Sequence, residues 1–394
     1  MILQTNTIMY NIDNQLLSQI SFLGWHLARI KFFVSLVCAI TRLRTVNYEK
    51  LAQGIGGKAK AESNLRRIQR FFAEFEIDMD VMARFVFCLL PVSPPYCLSM
   101  DRTNWKFGRL DFNILTLSVC YKGVGIPLLW KMLPKKGNSN TGERIELMQR
   151  HVSLFGSDSI ECLLADREFI GKHRFEWLVS ERIKFHIRIR ENIWIDIPGK
   201  GRTKVFWLFS QLKVNQALNY HKTVMIDSNM VYLSGLKTVT DKGISFVIIA
   251  SYNRETDALV KYKDRWQIET MFKAMKSGGY NIEDTHLTDI NRLSKLIAVI
   301  SIAFIWAYRT GIYVDDNMKP IRILNNGRRA KSIFKCGLDK LAHILLVVIY
   351  TPDNLEYNSL KIYTELFSCT QSFFIKLHIG LYLREYYISI PAIF

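Results

Sequence analysis

The chain has 394 residues, 49% of them hydrophobic, which is enough for a sizeable core and two or three domains. With 53 Lys+Arg against 35 Asp+Glu the formal charge is +18, a balance that points to a polyanionic partner, nucleic acid first and anionic membrane second. Seven cysteines are scattered singly with no Cys-x-x-Cys pair, so neither a disulfide framework nor a zinc site is indicated, and buried reduced thiols in a cytosolic protein are expected.

Residues 1–90 read as helical, with apolar positions recurring every three or four residues from Ile20 to Leu43. Between Arg42 and Arg70 there are eight Lys or Arg and two Glu. Inside this basic region residues 48–53 predict a short helix, 54–57 a glycine-rich turn, and 63–75 a second helix carrying Arg66, Arg67 and Arg70. A helix-turn-helix that lays its second helix on DNA fits, because Arg serves both phosphates and guanine edges. A helical hairpin with a solvated basic face fits these residues equally well. Three apolar runs, 32–40, 296–308 and 341–350, are each shorter than a helix needs to cross about 30 Å of hydrocarbon and are expected in the core. The first of them follows Arg29 and Lys31 but lies too far from Met1, and lacks the small-residue cleavage site, for a signal peptide.

Prolines at 91, 94 and 95 mark a boundary, since they interrupt helix and favour extended chain. A strand is expected over 97–100, ending at Asp101, then a loop over 102–108. Residues 113–121 and 126–133 read as two strands joined at Lys122-Gly123. A helix follows over 141–155, with Ile145, Leu147, Met148, Val152 and Leu154 as its expected buried positions. Residues 162–165 form a short apolar strand that ends at Asp166, and a helix is expected near 172–181. Three strands, a helix, a fourth strand and a helix is the order of a ribonuclease-H-like domain, in which the first and fourth strands lie parallel and adjacent. Asp101 and Asp166 would then face each other. A buried carboxylate pair is costly unless a cation neutralises it, and such pairs suit divalent metal held by oxygen. A lone Asp at a strand end is commonly only a turn or helix cap.

Between Asp166 and Glu269 the chain is longer than a compact core of this type needs. The excess, at about 187–250, is rich in strand-like runs and reads as a β-rich insertion, its first half made basic by Arg188, Arg190, Lys200, Arg202 and Lys204. Residues 262–276 then read as one helix. At about 100° per residue, Tyr262, Arg265, Glu269 and Lys276 fall within an arc of roughly 60°, with Ile268, Met271, Phe272 and Met275 gathered on an apolar side. By spacing alone this is equally a solvated face with an Arg265–Glu269 pair worth a few tenths of a kcal/mol.

Tyr, two residues, Arg, three residues, Glu, six residues, Lys resembles the signature of a large group of bacterial DDE transposases, insertion-sequence family four, and Trp266 after the Arg is similar to members of that group. The resemblance implies that Asp101, Asp166 and Glu269 are the metal-binding catalytic triad, with Mg2+ as cofactor and Mn2+ as its substitute. It implies that Tyr262, Arg265, Trp266 and Lys276 contact DNA near the scissile bond, and that the N-terminal helical domain binds transposon ends, which selects the DNA-binding reading of Arg66, Arg67 and Arg70. A cut-and-paste reaction follows from it, through nicking, a hairpin, reopening and joining to target DNA. The aromatic that would trap an extruded base is open among Trp194, Trp207 and Tyr232.

After Gly278-Gly279 a long apolar helix is expected over 289–311, packed on the sheet. Residues 319–335 are basic again and form a second candidate DNA track. The tail from 371 to 394 is apolar and aromatic, and resembles an extension beyond a family-like end at Ser368-Cys369-Thr370. The expected organisation is α/β: a helical DNA-binding domain at 1–90, a ribonuclease-H-like catalytic domain at 91–312 interrupted at about 187–250, and a helical C-terminal region at 313–394 for dimerisation or DNA contact. The partners expected are double-stranded terminal inverted repeats and target DNA, with a homodimer on DNA, no membrane, and a cytoplasmic, nucleoid-associated location. Rival readings are a nuclease of the same fold, an inactive or domesticated DNA-binding derivative, and a membrane protein.

Overall fold

The computed structural model describes residues 24–350 apart from 56–58, 108–109, 242 and 255, so the expectations for the 371–394 tail lie outside the described residues. Two compact units divide the chain. One, Val92–Lys273, is built on a sheet; the other is helical and takes residues from both sides of it, 24–91 and 274–350 among those described.

In the helical unit, α1 (Leu27–Leu43) is buried on several faces by Ile30, Phe33, Leu36, Val37 and Ile40, and stops where Arg44 turns left-handed. Asn47 caps α2 (Tyr48–Gly54) by accepting from the Lys50 N–H. In α3 (Ala61–Glu74) the buried side chains are Asn64, Ile68, Phe71 and Phe72, a strict helical spacing, which leaves Arg66 and Arg70 exposed on the other side and Arg67 exposed at the flank of the buried face. Asn64 ties α3 to the end of α2 by donating to the carbonyls of Ala52 and Ile55, each at 3.3 Å. A fourth helix, α4 (Met79–Cys88), is capped by Asp78.

The sheet unit has eleven strands among its described residues: β1 (Tyr96–Phe107), β2 (Leu110–Tyr121), β3 (Val124–Leu133), β4 (Ile160–Ala165), β5 (Phe185–Ile189), β6 (Trp194–Ile197), β7 (Gly201–Lys204), β8 (Ala217–Asn219), β9 (Val224–Ile226), β10 (Asn229–Thr240) and β11 (Gly243–Ser251). Their order is β3-β2-β1-β4-β5-β11-β10-β9-β6-β7, with β8 beside β10. β4 pairs in parallel with β1 and β5, and the remaining pairings are antiparallel. The β2–β3 turn at Lys122-Gly123 has positive φ at both residues, as a tight hairpin requires.

One strand expectation needs correction. Residues 102–107 are not a loop: β1 continues past Asp101 because β2 keeps pairing with it, Arg102 opposite Leu115 and Thr103 opposite Ile114, after β4 has ended. The strand-rich stretch at 187–250 is continuous with the sheet, since β5 and β11 join it edge to edge. On α5 (Thr141–Phe155) the buried positions are Arg144, Leu147, Met148 and His151, while Ile145, Val152 and Leu154 are only half-buried, so two polar residues take places expected to be apolar. The short helix α6 (Lys172–Ser180) follows β4.

Residues 262–276 are not one continuous helix. α7 (Ala258–Tyr262) passes through a 3-10 turn, Lys263–Arg265, into α8 (Trp266–Met275), and Lys276 follows in a turn. The expected apolar side holds, with Ile268, Met271, Phe272 and Met275 all buried.

The long apolar helix α9 (Ile290–Asn317), expected on the sheet, belongs to the helical unit and packs there against α1, α4 and α10 (Ile333–Tyr350). Its 28 residues also overturn the length argument used for the 296–308 run: by length and composition α9 is able to cross a membrane. Of its apolar window 83% is enclosed by protein, as in the core helix of a helical unit. At the α9–α10 crossing the backbones touch, and a Cβ on Gly337 would lie 1.8 Å from the Ala307 carbonyl oxygen. Such an approach tolerates only glycine.

Six free thiols lie among the described residues. Cys97 and Cys162 face each other across β1 and β4 with their sulfurs 3.3 Å apart, and that contact together with burial pushes the Cys162 thiol well above its usual range.

Candidate active site

The register of β1 against β4 assembles the site. Met100 is aligned with Ala165, so the next residues, Asp101 and Asp166, leave the parallel pair side by side. Asp101 remains in strand, and Asp166 caps the 3-10 turn Arg167–Phe169. Each carboxylate is fixed by the backbone N–H of the residue after it: Arg102 donates to Asp101 Oδ1 at 2.8 Å and Arg167 to Asp166 Oδ1 at 2.7 Å.

The turn between α7 and α8 is anchored to the sheet by backbone contacts. Ser99 Oγ donates to the Arg265 carbonyl and Cys120 Sγ to the Asp264 carbonyl, both at 3.4 Å. Gly125 of β3 permits the start of α8 to lie close, because a Cβ there would sit 3.1 Å from both Gln267 O and Ile268 Cα. Strand alternation places Ser99 and Asp101 on the same face, and so brings the turn over the carboxylates.

Arg265 lies between two members of the expected triad. One guanidinium nitrogen is 3.2 Å from Asp101 Oδ2 and the other 2.6 Å from Glu269 Oε1. Tyr262 donates its hydroxyl to Asp166 Oδ1 at 3.4 Å, and the Arg265 guanidinium lies 5.8 Å from the Tyr262 ring centroid. The five residues Asp101, Asp166, Tyr262, Arg265 and Glu269 are thus one electrostatic cluster. Burial pushes the Asp101 carboxyl up to about 6; Asp166 and Glu269 add to the rise, while the Arg102 N–H and Arg265 oppose it. Burial also raises the Tyr262 hydroxyl, which stays protonated as a donor.

Whether a divalent cation suits this place follows from its chemistry. Three carboxylates supply the hard oxygen donors that Mg2+ and Mn2+ take, and their mutual repulsion at Asp101 is a charge that such an ion offsets. Arg265 supplies positive charge to Asp101 and Glu269. As they stand, no three His, Cys, Asp or Glu side chains among the described residues converge on a single ion position. The donor set is of the kind a divalent ion takes, while Arg265 lies between two of its members.

The other expected site residues are distributed differently. Trp266 is 64% exposed beside Arg265. Lys276 lies 3.7 Å from Glu283 within the helical unit. Arg67 on α3 covers the Phe32 ring at 4.8 Å and donates to Asn64. Trp194 and Trp207 are 53% and 60% exposed, whereas Tyr232 is half-buried; Arg202 and Lys204 lie over the Trp194 ring. In the 319–335 track Arg329 pairs with Asp315, and Lys331 and Lys335 pair with Asp339, so part of its charge is already neutralised.

Sequence reading missed the supports of the cluster. Arg102 holds Glu168 at 3.1 Å and also donates to Asn104 and Asn138. Arg144 and Arg174 are buried around the turn that follows Asp166. Arg is usually exposed, so nothing in the local pattern marks these two as interior.

The family model for the transposase DDE domain matches residues 93–306, more than half of the chain and a span that contains every member of the cluster. No match is found among curated proteins.

Proposed function

The chain belongs to the transposase DDE-domain family, and from that membership we propose that it is a cut-and-paste transposase of an insertion sequence, in the group with the Tyr-Arg-Glu-Lys signature. A transposase is an enzyme acting on DNA, and this family generally uses divalent metal ions. The observation that carries the finer reading is the alignment of Asp101 with Asp166 across parallel β1 and β4, with Arg265 reaching from Asp101 to Glu269. A ribonuclease-H-like core with a β-rich insertion is supported by the order β3-β2-β1-β4-β5, with β4 parallel to both neighbours.

Asp101, Asp166 and Glu269 are the residues that would hold the metal, Mg2+ or in its place Mn2+. Two such ions bound there would supply an activated water or 3′-hydroxyl and would stabilise the leaving oxygen, so no side-chain nucleophile would be needed. Asp101 must be ionised to serve as ligand, and with its carboxyl near 6 it is so at neutral pH. Arg265, released from its carboxylates, becomes a bidentate partner for a phosphate beside the scissile bond. Tyr262, held as a protonated donor, and Lys276 add further phosphate contacts. Trp266, Trp194 and Trp207 offer exposed rings on which an extruded base can stack; half-buried Tyr232 is less accessible.

The exposed face of α3 with Arg66, Arg67 and Arg70 is assigned to the terminal inverted repeats, and the cations of 319–335 that lack an acidic partner among the described residues to further DNA contact. Synapsis of two ends calls for a homodimer on DNA, in the cytoplasm at the nucleoid.

The test is metal-dependent cleavage of a duplex carrying the inverted repeat that flanks the gene, wild type beside Glu269→Gln. Cleavage at the repeat end by the wild type alone, followed by joining to a target duplex, is the expected result. Cut ends that stay unjoined would replace the transposase reading with a nuclease; end binding without cleavage in either protein would replace it with an inactive derivative.

A further inference from the structure

Two guanidinium groups lie inside the sheet unit, close to the residues that follow Asp166. Arg174 is 1% exposed and Arg144 4%. Among the described residues Arg174 has no carboxylate partner. A buried cation without a counter-ion is expensive to keep unless hydrogen bonds offset the cost, so where Arg174 makes them is informative.

Arg174, from α6, donates through Nη1 to the Phe169 carbonyl at 3.0 Å, while Nη2 lies 3.6 Å from Met100 Sδ. Phe169 closes the turn that begins at Asp166, and Met100 directly precedes Asp101. One planar fork therefore touches both chain segments that carry the aspartates. Strand alternation puts Met100 on the face opposite Asp101, so the bridge is made from beneath the sheet. Arg144 completes it: Nη1 donates to the Glu168 carbonyl at 2.6 Å, Nε to Ser139 Oγ at 2.8 Å, and Nη2 to the Ser139 carbonyl. The Phe169 ring takes both cations on its surface, Arg144 at 4.6 Å and Arg174 at 5.1 Å from its centroid. Burial lowers the Arg174 guanidinium to about 9, which leaves it charged at neutral pH.

We infer that Arg174, seconded by Arg144, is a positioning residue that sets the separation of Asp101 and Asp166 from the far side of the sheet. The inference rests on the metal-site reading above and adds to it the part that holds the two ligands in register. Lysine keeps the charge at this place but loses the fork, which needs two nitrogens in one plane.

The experiment measures Mn2+ binding to the full chain by electron paramagnetic resonance, for wild type, Arg174→Lys and the control Phe175→Leu, a neighbouring core change on α6. Thermal unfolding and repeat-end binding are recorded on the same samples. Expected for Arg174→Lys is a tenfold or greater loss of Mn2+ affinity and an altered spectrum, with end binding unchanged. Phe175→Leu, at equal or greater loss of thermal stability, should keep the wild-type spectrum. Mn2+ affinity kept in Arg174→Lys, or lost equally in Phe175→Leu, would overturn the inference alone. A wild type that binds no Mn2+ would overturn the metal-site reading and the inference with it. If Arg174→Lys does not fold, Arg174→Gln, which retains a donor for the Phe169 carbonyl, takes its place; failure of both to fold would assign Arg174 to stability only and overturn the proposal.

Discussion

Gly125→Val tests how closely catalysis depends on the seating of α8. A Cβ at this position would lie 2.9 Å from Ser118 Oγ and 3.1 Å from both Gln267 O and Ile268 Cα. Ordinary contacts are about 3.5–4.0 Å. The serine can rotate away, but the two backbone atoms of α8 have no rotamer to change, so even alanine pushes the helix outward by roughly half an ångström. Alanine also restricts the unfolded chain, which is worth about 0.4–1 kcal/mol in its favour, and its net effect on stability is small. Valine reaches about 1.5 Å further, one carbon–carbon bond, and should cost about 1–3 kcal/mol through overpacking. Because Arg265 and Glu269 ride on this segment, the displacement moves one carboxylate against two that β1 and β4 hold still. A shift approaching 1 Å in such a constellation costs on the order of a hundredfold in rate. The assay is metal-dependent cleavage of the repeat-end duplex, with end affinity and thermal midpoint measured in parallel. Valine should lower the cleavage rate by about ten- to a hundredfold and the midpoint by a few degrees, with end affinity unchanged. A valine variant with wild-type rate and midpoint would refute the seating argument.

Two further outcomes follow from the charges. His151 is fully buried against Ser159, and burial lowers its imidazole to about 4. Its folded value lies below the unfolded one, near 6.5, so the stability it contributes is complete above that value and is lost as pH falls towards 4, up to about 3 kcal/mol. Thermal midpoints between pH 7 and 4.5 should therefore fall less in His151→Gln than in the wild type; parallel curves would mean that His151 does not titrate in this way. Asp101 acts in the opposite sense, its raised carboxyl favouring the fold at low pH and losing that contribution as pH rises through about 6. Arg66→Ala should weaken repeat-end binding and reduce its salt slope by about 1, with Mn2+ affinity unchanged; an unaltered slope would remove α3 from the DNA interface.

What the sequence determined by itself was local. The spacing of Leu147 and Met148, the capping Asn47 and Asp78, and the Lys122-Gly123 turn set where helices and strands begin and end, because propensity, capping and turn geometry act over a few residues. The Arg265–Glu269 pair and the apolar side of α8 were legible for the same reason, since residues three and four apart on a helix share a face, but the break at Lys263–Arg265 was not. Tertiary structure decided what depends on partners distant in sequence. β1 continues past Asp101 because β2 remains beside it, and α9 lies among helices because it is apolar on most of its faces and needs cover there. Arg265 serves as counter-ion to Asp101, and Arg174 becomes an interior bridge, only when strands and helices separated by scores of residues are brought together. Burial and charge pairing are properties of that assembled neighbourhood, and no pattern confined to a dozen residues carries them.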